Sequence, residues 1–291
     1  MDDKLRQQAI ELHDRFTHEG MERRDFFAAM TRLAGGAAAA NLLIGSIAAS
    51  PAAAAIVAAD DKRLRTAMTT LDAGATPYKA YVAELRAPKA KRRTVIVVHE
   101  NRGLNEHTRD VARRLALAGL HAVAPDFLSP SGGTPDNEDA AREAIGKLDL
   151  GSSTAAGVAM LDGLRARKGG TGKVGVVGFC WGGAFVNRLA VAAGDKLSAG
   201  VVYYGTAPDS AEAPRVSAPL LIQLAGLDAR VNNSAFPWVT ALRAAGKPVV
   251  FQLYDGVNHA FNNDTSAERF NPPAADLAWK RTLAFFRAHL R

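Results

Sequence analysis

From Tyr81 onward the chain alternates short apolar runs with longer stretches whose apolar residues recur three or four positions apart. Thr94–His99 carries four consecutive β-branched apolar residues, the mark of a strand covered on both faces. Further strands are predicted at Tyr81–Arg86, His121–Ala124, Val174–Val177, Ala199–Tyr204, Pro219–Leu224 and Val249–Tyr254, several of them stopped by proline or glycine. Between them, Asn105–Ala118 sets Val111, Leu115 and Ala118 on one helical face and ends at Gly119. Ala140–Lys147, Thr154–Arg167 (through Val158, Leu161 and Leu164), an alanine-rich segment after Gly183, Ser234–Ala245 and Ala274–Leu290 also read as helices. Phe127–Asn137, rich in proline and glycine, reads as a loop. Strands alternating with helices predict an α/β domain over residues 56–291, a doubly wound, mostly parallel sheet with helices on both faces. No internal repeat or domain-splitting linker interrupts it.

The first 55 residues lack this alternation. Residues 1–20 are polar and mixed in charge, with no usable period. Met21-Glu22-Arg23-Arg24-Asp25-Phe26-Phe27 then leads into an alanine- and glycine-rich stretch to Ala49, and Ser50-Pro51-Ala52-Ala53-Ala54-Ala55 offers small-residue cleavage sites. Charged, apolar and small-residue regions in that order predict a secretory signal, and the paired arginines before Phe26-Phe27 resemble the twin-arginine export motif. Export by that machinery to the periplasm or the exterior is the expectation, with Met1 or Met21 as the true start. A membrane-spanning helix is disfavoured by Arg32, Gly35, Gly36 and Asn41. An amphipathic helix packed on the domain is disfavoured by the small area that alanine buries.

Composition adds little beyond excluding alternatives. The 291 residues are 48% hydrophobic and 22% charged, as in ordinary globular proteins. A single cysteine excludes an intramolecular disulfide. The net charge of +7 invites a nucleic-acid partner, but the basic residues are scattered as pairs such as Arg92-Arg93 and Arg113-Arg114, with no aromatic-interleaved stripe, so none is expected. There is no His-Glu-x-x-His, no Cys-x-x-Cys and no Walker-type lysine after Gly178–Gly183, so no metal or cofactor is expected.

The chemistry is carried by Val174–Val177 running without a spacer into Gly178-Phe179-Cys180-Trp181-Gly182 and then a helical segment. A strand that turns straight into a helix needs glycines where a Cβ would clash, and it lifts its apex residue above the sheet. This is a nucleophile elbow with Cys180 in the usual place of serine. Ligands of doubly wound sheets lie beyond the carboxyl ends of the strands. Asp228 follows the Pro219–Leu224 run there and His259 follows Val249–Tyr254. Nucleophile, acid, histidine is the chain order of the α/β-hydrolase triad, in which the histidine takes the nucleophile's proton and the carboxylate fixes its tautomer.

Together with His99-Glu100-Asn101-Arg102-Gly103-Leu104, Ala124-Pro125-Asp126, Tyr203-Tyr204-Gly205, Gly226-Leu227-Asp228 and Gly256-Val257-Asn258-His259-Ala260-Phe261, the elbow resembles the dienelactone hydrolase family over roughly residues 75–291. The resemblance implies an α/β-hydrolase fold with Cys180, Asp228 and His259 as the triad. It further implies Glu100 as the glutamate that contacts the resting cysteine and takes part in its activation. His99 is assigned a packing or hydrogen-bonding role. The fold then implies an oxyanion hole from the backbone N–H groups of Trp181 and Asn101. The expected activity is hydrolysis of small esters or lactones through a thioester, with an acyltransferase on the same site or a silent binding scaffold as alternatives. The family's best-known member grips its substrate with an arginine shortly after the catalytic histidine. Here Ala260-Phe261-Asn262-Asn263-Asp264 holds none, which leaves Arg102 and Arg269 as candidates and argues against dienelactone itself as the substrate.

Overall fold

The computed structural model describes residues 3–48, 55–74, 76–88 and 90–291. Along the chain lie helices α1 (Asp3–His18), α2 (Arg23–Ala34) and α3 (Ala37–Ile47), then β1 (Leu64–Leu71), β2 (Tyr78–Leu85), β3 (Arg92–Val98) and α4 (Glu106–Leu117). They are followed by β4 (His121–Pro125), α5 (Glu138–Gly146), α6 (Leu150–Arg165), β5 (Gly170–Phe179), α7 (Trp181–Ala192) and β6 (Ala199–Tyr203). The chain closes with β7 (Leu220–Ala225), α8 (Ala229–Ala244), β8 (Val249–Tyr254) and α9 (Pro272–His289). The sheet order is β1-β2-β4-β3-β5-β6-β7-β8. The first three strands pair antiparallel and the remainder parallel, the expected mostly parallel α/β architecture.

The uninterrupted apolar run of β3 has a direct cause. Successive strand side chains point to opposite faces, and both faces are covered. Val95 and Val97 enter the layer shared with Leu115 of α4 and Phe286 of α9. Ile96 and Val98 enter the layer shared with Leu161 of α6, Phe185 of α7 and Trp238 of α8. The strand missing from the sequence reading is β1, an edge strand whose residues after Leu64 are largely exposed, with Met68 half in solvent. An edge with one partner and little burial has no apolar alternation to display.

The N-terminal region also departs from expectation. Residues 3–18 form α1, whose buried residues Ala9, Ile10 and His13 fall on one helical face. The spacing was present but sat among charges. α1, α2 and α3 share a small apolar cluster in which the Phe16 and Phe26 rings stack at 4.3 Å. The cluster is laid on the sheet domain. Ser266 Oγ donates to the Ile47 carbonyl at 2.6 Å, Arg142 donates to the Phe16 carbonyl at 2.9 Å, and Arg269 pairs with Asp14 at 3.4 Å. Among the described residues no single helix is long and apolar enough to cross a membrane, and α2 and α3 meet at a bend of 107°. Most of the small-residue cleavage stretch, residues 50–54, lies outside the described residues.

Candidate active site

Cys180 stands between β5 and α7 with φ 54° and ψ −113°, a strained left-handed backbone for a residue with a Cβ. The surrounding packing enforces it. A Cβ on Gly178 would run into the backbone of Gly182, and a Cβ on Gly182 into the carbonyls of Val98 and His99. The Cys180 N–H is held by the Tyr203 carbonyl at 3.1 Å, and Cys180 is the N-cap residue of α7, the helix end that favours negative charge. Cys180 is buried.

Asp228 and His259 arrive from the ends of β7 and β8. Asp228 caps α8, accepting from the Val231 N–H at 3.1 Å, and its other oxygen accepts from His259 Nδ1 at 2.5 Å. This contact fixes the imidazole, whose side chain is 2% exposed and whose Nε2 has no hydrogen-bond partner. Burial alone would pull the His259 pKa down. The Asp228 carboxylate and the Cys180 sulfur outweigh it and push the pKa up to about 10. The three residues chosen from chain order therefore meet at one place, with a ring nitrogen of His259 and Cys180 Sγ within 4.8 Å.

Glu100 reaches the same site but its bonds run elsewhere. It accepts from Tyr204 Oη at 3.3 Å and from Asn263 Nδ2 at 3.0 Å. Burial, Glu100 and Cys180 together hold the Tyr204 phenol well above its usual pKa, so it stays a donor. His99 is fully structural. It bonds the Glu100 carbonyl at 2.7 Å, accepts from the Phe127 N–H at 3.2 Å and stacks on Trp181. Asn101 and Trp181 border the cavity above the sulfur, and neither backbone N–H donates to a described protein acceptor.

That cavity is about 230 Å³, and its lining includes two residues that the sequence reading passed over. Thr17 and His18 come from the end of α1. The His18 Nε2 lies 4.0 Å from Cys180 Sγ and its ring centroid 5.0 Å from that of His259. Burial foremost, then the charges of His259 and Arg230, hold the His18 pKa well below the ordinary imidazole value. Only the spacing of Ile10, His13 and Thr17 along a helix could have signalled that this face is covered.

The arginine candidates are corrected by the geometry. Arg102 is committed to Glu138 and Arg269 to Asp14 and Ser266, while Arg142 and Arg230 line the cavity. Arg142 is also tied to α1 through the Phe16 ring, 4.1 Å away. Arg230 sits at the start of α8, two positions after Asp228 and ahead of the Ser234–Ala245 segment that the sequence marks as helical.

Comparison with known proteins bears on this site. The model of the dienelactone hydrolase family matches residues 78–290. A candidate carboxymethylenebutenolidase of Methylorubrum extorquens is 33% identical over 213 residues, covering 67% of this chain and 72% of that protein. Protein usf of Aquifex pyrophilus is 31% identical, covering 77% of this chain and 98% of the relative. The crystal structure of a candidate dienelactone hydrolase from Klebsiella pneumoniae superposes with a TM-score of 0.69 at 28% identity. It covers 77% of this chain and 98% of its own.

Proposed function

Because the chain belongs to the dienelactone hydrolase family, a family of α/β-fold hydrolases, we propose that it cleaves small esters or lactones with Cys180, His259 and Asp228 as its triad. One observation carries the reading: an imidazole bonded to a buried carboxylate at 2.5 Å stands beside a sulfur held at a strained strand-to-helix elbow. The His259 pKa of about 10 favours an imidazolium beside the Cys180 sulfur, and an adjacent cation is what favours the nucleophilic form of a cysteine.

In this reading the thiolate attacks the ester carbonyl, and the Asn101 and Trp181 N–H groups receive the oxyanion. The imidazolium gives its proton to the departing alkoxide, leaving an acyl-thioester on Cys180. His259, now neutral, takes a proton from water as that water attacks the thioester, and Cys180 leaves as thiolate. Asp228 holds the tautomer throughout. Thiolate leaves more readily than amide nitrogen, which favours esters over peptides. Glu100, committed to Tyr204 and Asn263, acts as a positioning residue for the rim of the site.

Intact mass measurement after rapid quenching with a chromogenic short-chain ester tests the reading. A mass increase of one acyl group, localised to Cys180 and absent from Cys180→Ala, is expected. Undiminished ester turnover by Cys180→Ala would end it.

We further propose that residues 1–55 include a twin-arginine export signal, as the pair Arg23-Arg24 before Phe26-Phe27 suggests. The two arginine side chains are largely exposed at the start of α2, accessible to an export receptor. Replacing both arginines by lysine is expected to retain the protein in the cytoplasm. Export unaffected by that change would remove the support.

A further inference from the structure

We propose that the intact chain binds a soft divalent cation, Zn²⁺ by preference, through Cys180, His259 and His18. The sulfur and one ring nitrogen from each histidine all lie within 4.8 Å of one another, and these residues join two parts of the chain far apart in sequence. No local motif could announce the set, because its members sit at positions 18, 180 and 259.

The arrangement fits coordination better than hydrogen bonding. At 4.0 Å the Cys180 sulfur and His18 Nε2 are at the outer limit of a sulfur hydrogen bond. Bonds of about 2.1 Å to nitrogen and 2.3 Å to sulfur in a tetrahedron place donors roughly 3.3–3.6 Å apart. The ligands, within 4.8 Å of one another, thus need to close by at most about 1.5 Å. His18 can supply that movement, being the last residue of α1, just before the turn at Gly20. His259 is already set as a ligand. Its Nδ1 is engaged by Asp228, the carboxylate–histidine arrangement that orients metal-bound imidazoles, and this leaves the buried Nε2 aimed into the cluster without a partner.

The donor set selects the ion. One thiolate with two imidazoles suits zinc and its relatives, not magnesium or calcium, which prefer oxygen. Asp228 and Asp14 set negative charge around the position, while Arg230 adds a positive one and Arg269 is taken up by Asp14. The fourth coordination position opens to the cavity and takes water. Binding is a ligand exchange: the thiol proton and any proton on the coordinating imidazole nitrogens go to solvent, and the S and N lone pairs replace three waters on the ion. While the ion is held, neither the sulfur nor His259 is free to act on an ester. The site also requires α1, so it belongs to the chain that still carries its N-terminal helices.

The inference goes beyond the ester-hydrolase reading and is tested without it. Full-length protein is titrated with Co²⁺ and then Zn²⁺ under reducing conditions. A thiolate-to-cobalt charge-transfer band with intensified visible bands should reach its endpoint at one equivalent and disappear on adding Zn²⁺. His18→Gln should weaken affinity ten- to a hundredfold. X-ray absorption of the zinc-loaded wild type should give one sulfur and two imidazole neighbours, a readout independent of whether any variant folds. Absence of the charge-transfer band, unchanged affinity in a folded His18→Gln, or a zinc shell without sulfur and two imidazoles would each overturn the site. An absence of ester turnover in protein that has never been exposed to metal, with the cobalt band present on titration, would count against the hydrolase reading alone.

Discussion

In the sheet, Val95 and Val97 face one helical layer while Ile96 and Val98 face the other, and every element leans on a neighbour across a large core. In the N-terminal helices, Ala9, Ala40 and a few larger residues such as Ile10, Phe26 and Met30 make a small cluster of their own. Their hold on the domain includes hydrogen bonds and ion pairs from Asp14, Phe16, Arg23, Ser46 and Ile47. Yet both regions deliver a histidine to the same sulfur, and their surroundings shift the two rings in opposite directions. His259 is charged by Asp228 and Cys180, whereas His18 is neutralised chiefly by burial. The difference teaches that the sheet region is preorganised around charge, while α1 is docked by burying rings that must stay neutral.

The largest test of this contrast is Gly178→Ala. With no space for a Cβ against Gly182, the elbow must shift, and destabilisation above about 4 kcal/mol is expected, read as loss of soluble folded protein or a collapsed melting temperature. Next is Asp228→Asn. The fold should survive, since an asparagine still caps α8, but His259 loses its tautomer and charge partner, and ester kcat should fall by roughly 10³–10⁴. A drop below tenfold would deny His259 its assigned role.

The pH responses should separate the two regions. Folded His13 and His18 have lowered pKa values, first through burial, so their contribution to docking is present above the unfolded value of about 6.5 and is lost as pH falls below it. Folded His259 has a raised pKa, so its contribution is present below about 6.5 and fades as pH climbs toward about 10. Hydrogen exchange should therefore find α1 opening on acidification while the sheet stays protected. The melting temperature of the sheet region should decline on the alkaline side, and less so in His259→Gln. Matching pH profiles for the two regions would erase the distinction. The smallest effect is Gly45→Ala in α3. It meets nothing within 4 Å and lies on an exposed helix face, so about 0.5–1 kcal/mol of stabilisation is expected, opposite in sign to Gly178→Ala. A thermal melt of the N-terminal helices by a local probe would register it.

The parallel strands were legible because burial on both faces writes itself as unbroken apolar runs, as in Thr94–Val98. The elbow was legible because a sharp strand-to-helix bend demands glycines at fixed offsets around Cys180. The chain order of Cys180, Asp228 and His259 was legible because strand ends bring such residues to one edge of the sheet. Other features were not. β1 buries too little to show a period. Glu100 turns to Tyr204 and Asn263, and Arg230 rather than Arg102 or Arg269 borders the cavity, because these depend on how loops from separate strands are packed. The position of His18 over Cys180 was least visible of all.

The sequence by itself determined the layers of the domain and the residue at the apex of its strand-to-helix elbow, since periodicity and local turn sterics act over a few residues. Only the tertiary structure decided what lies against the sulfur: contacts between residues 18, 180 and 259 are set by surfaces meeting in space, and no local pattern encodes which surface another will cover.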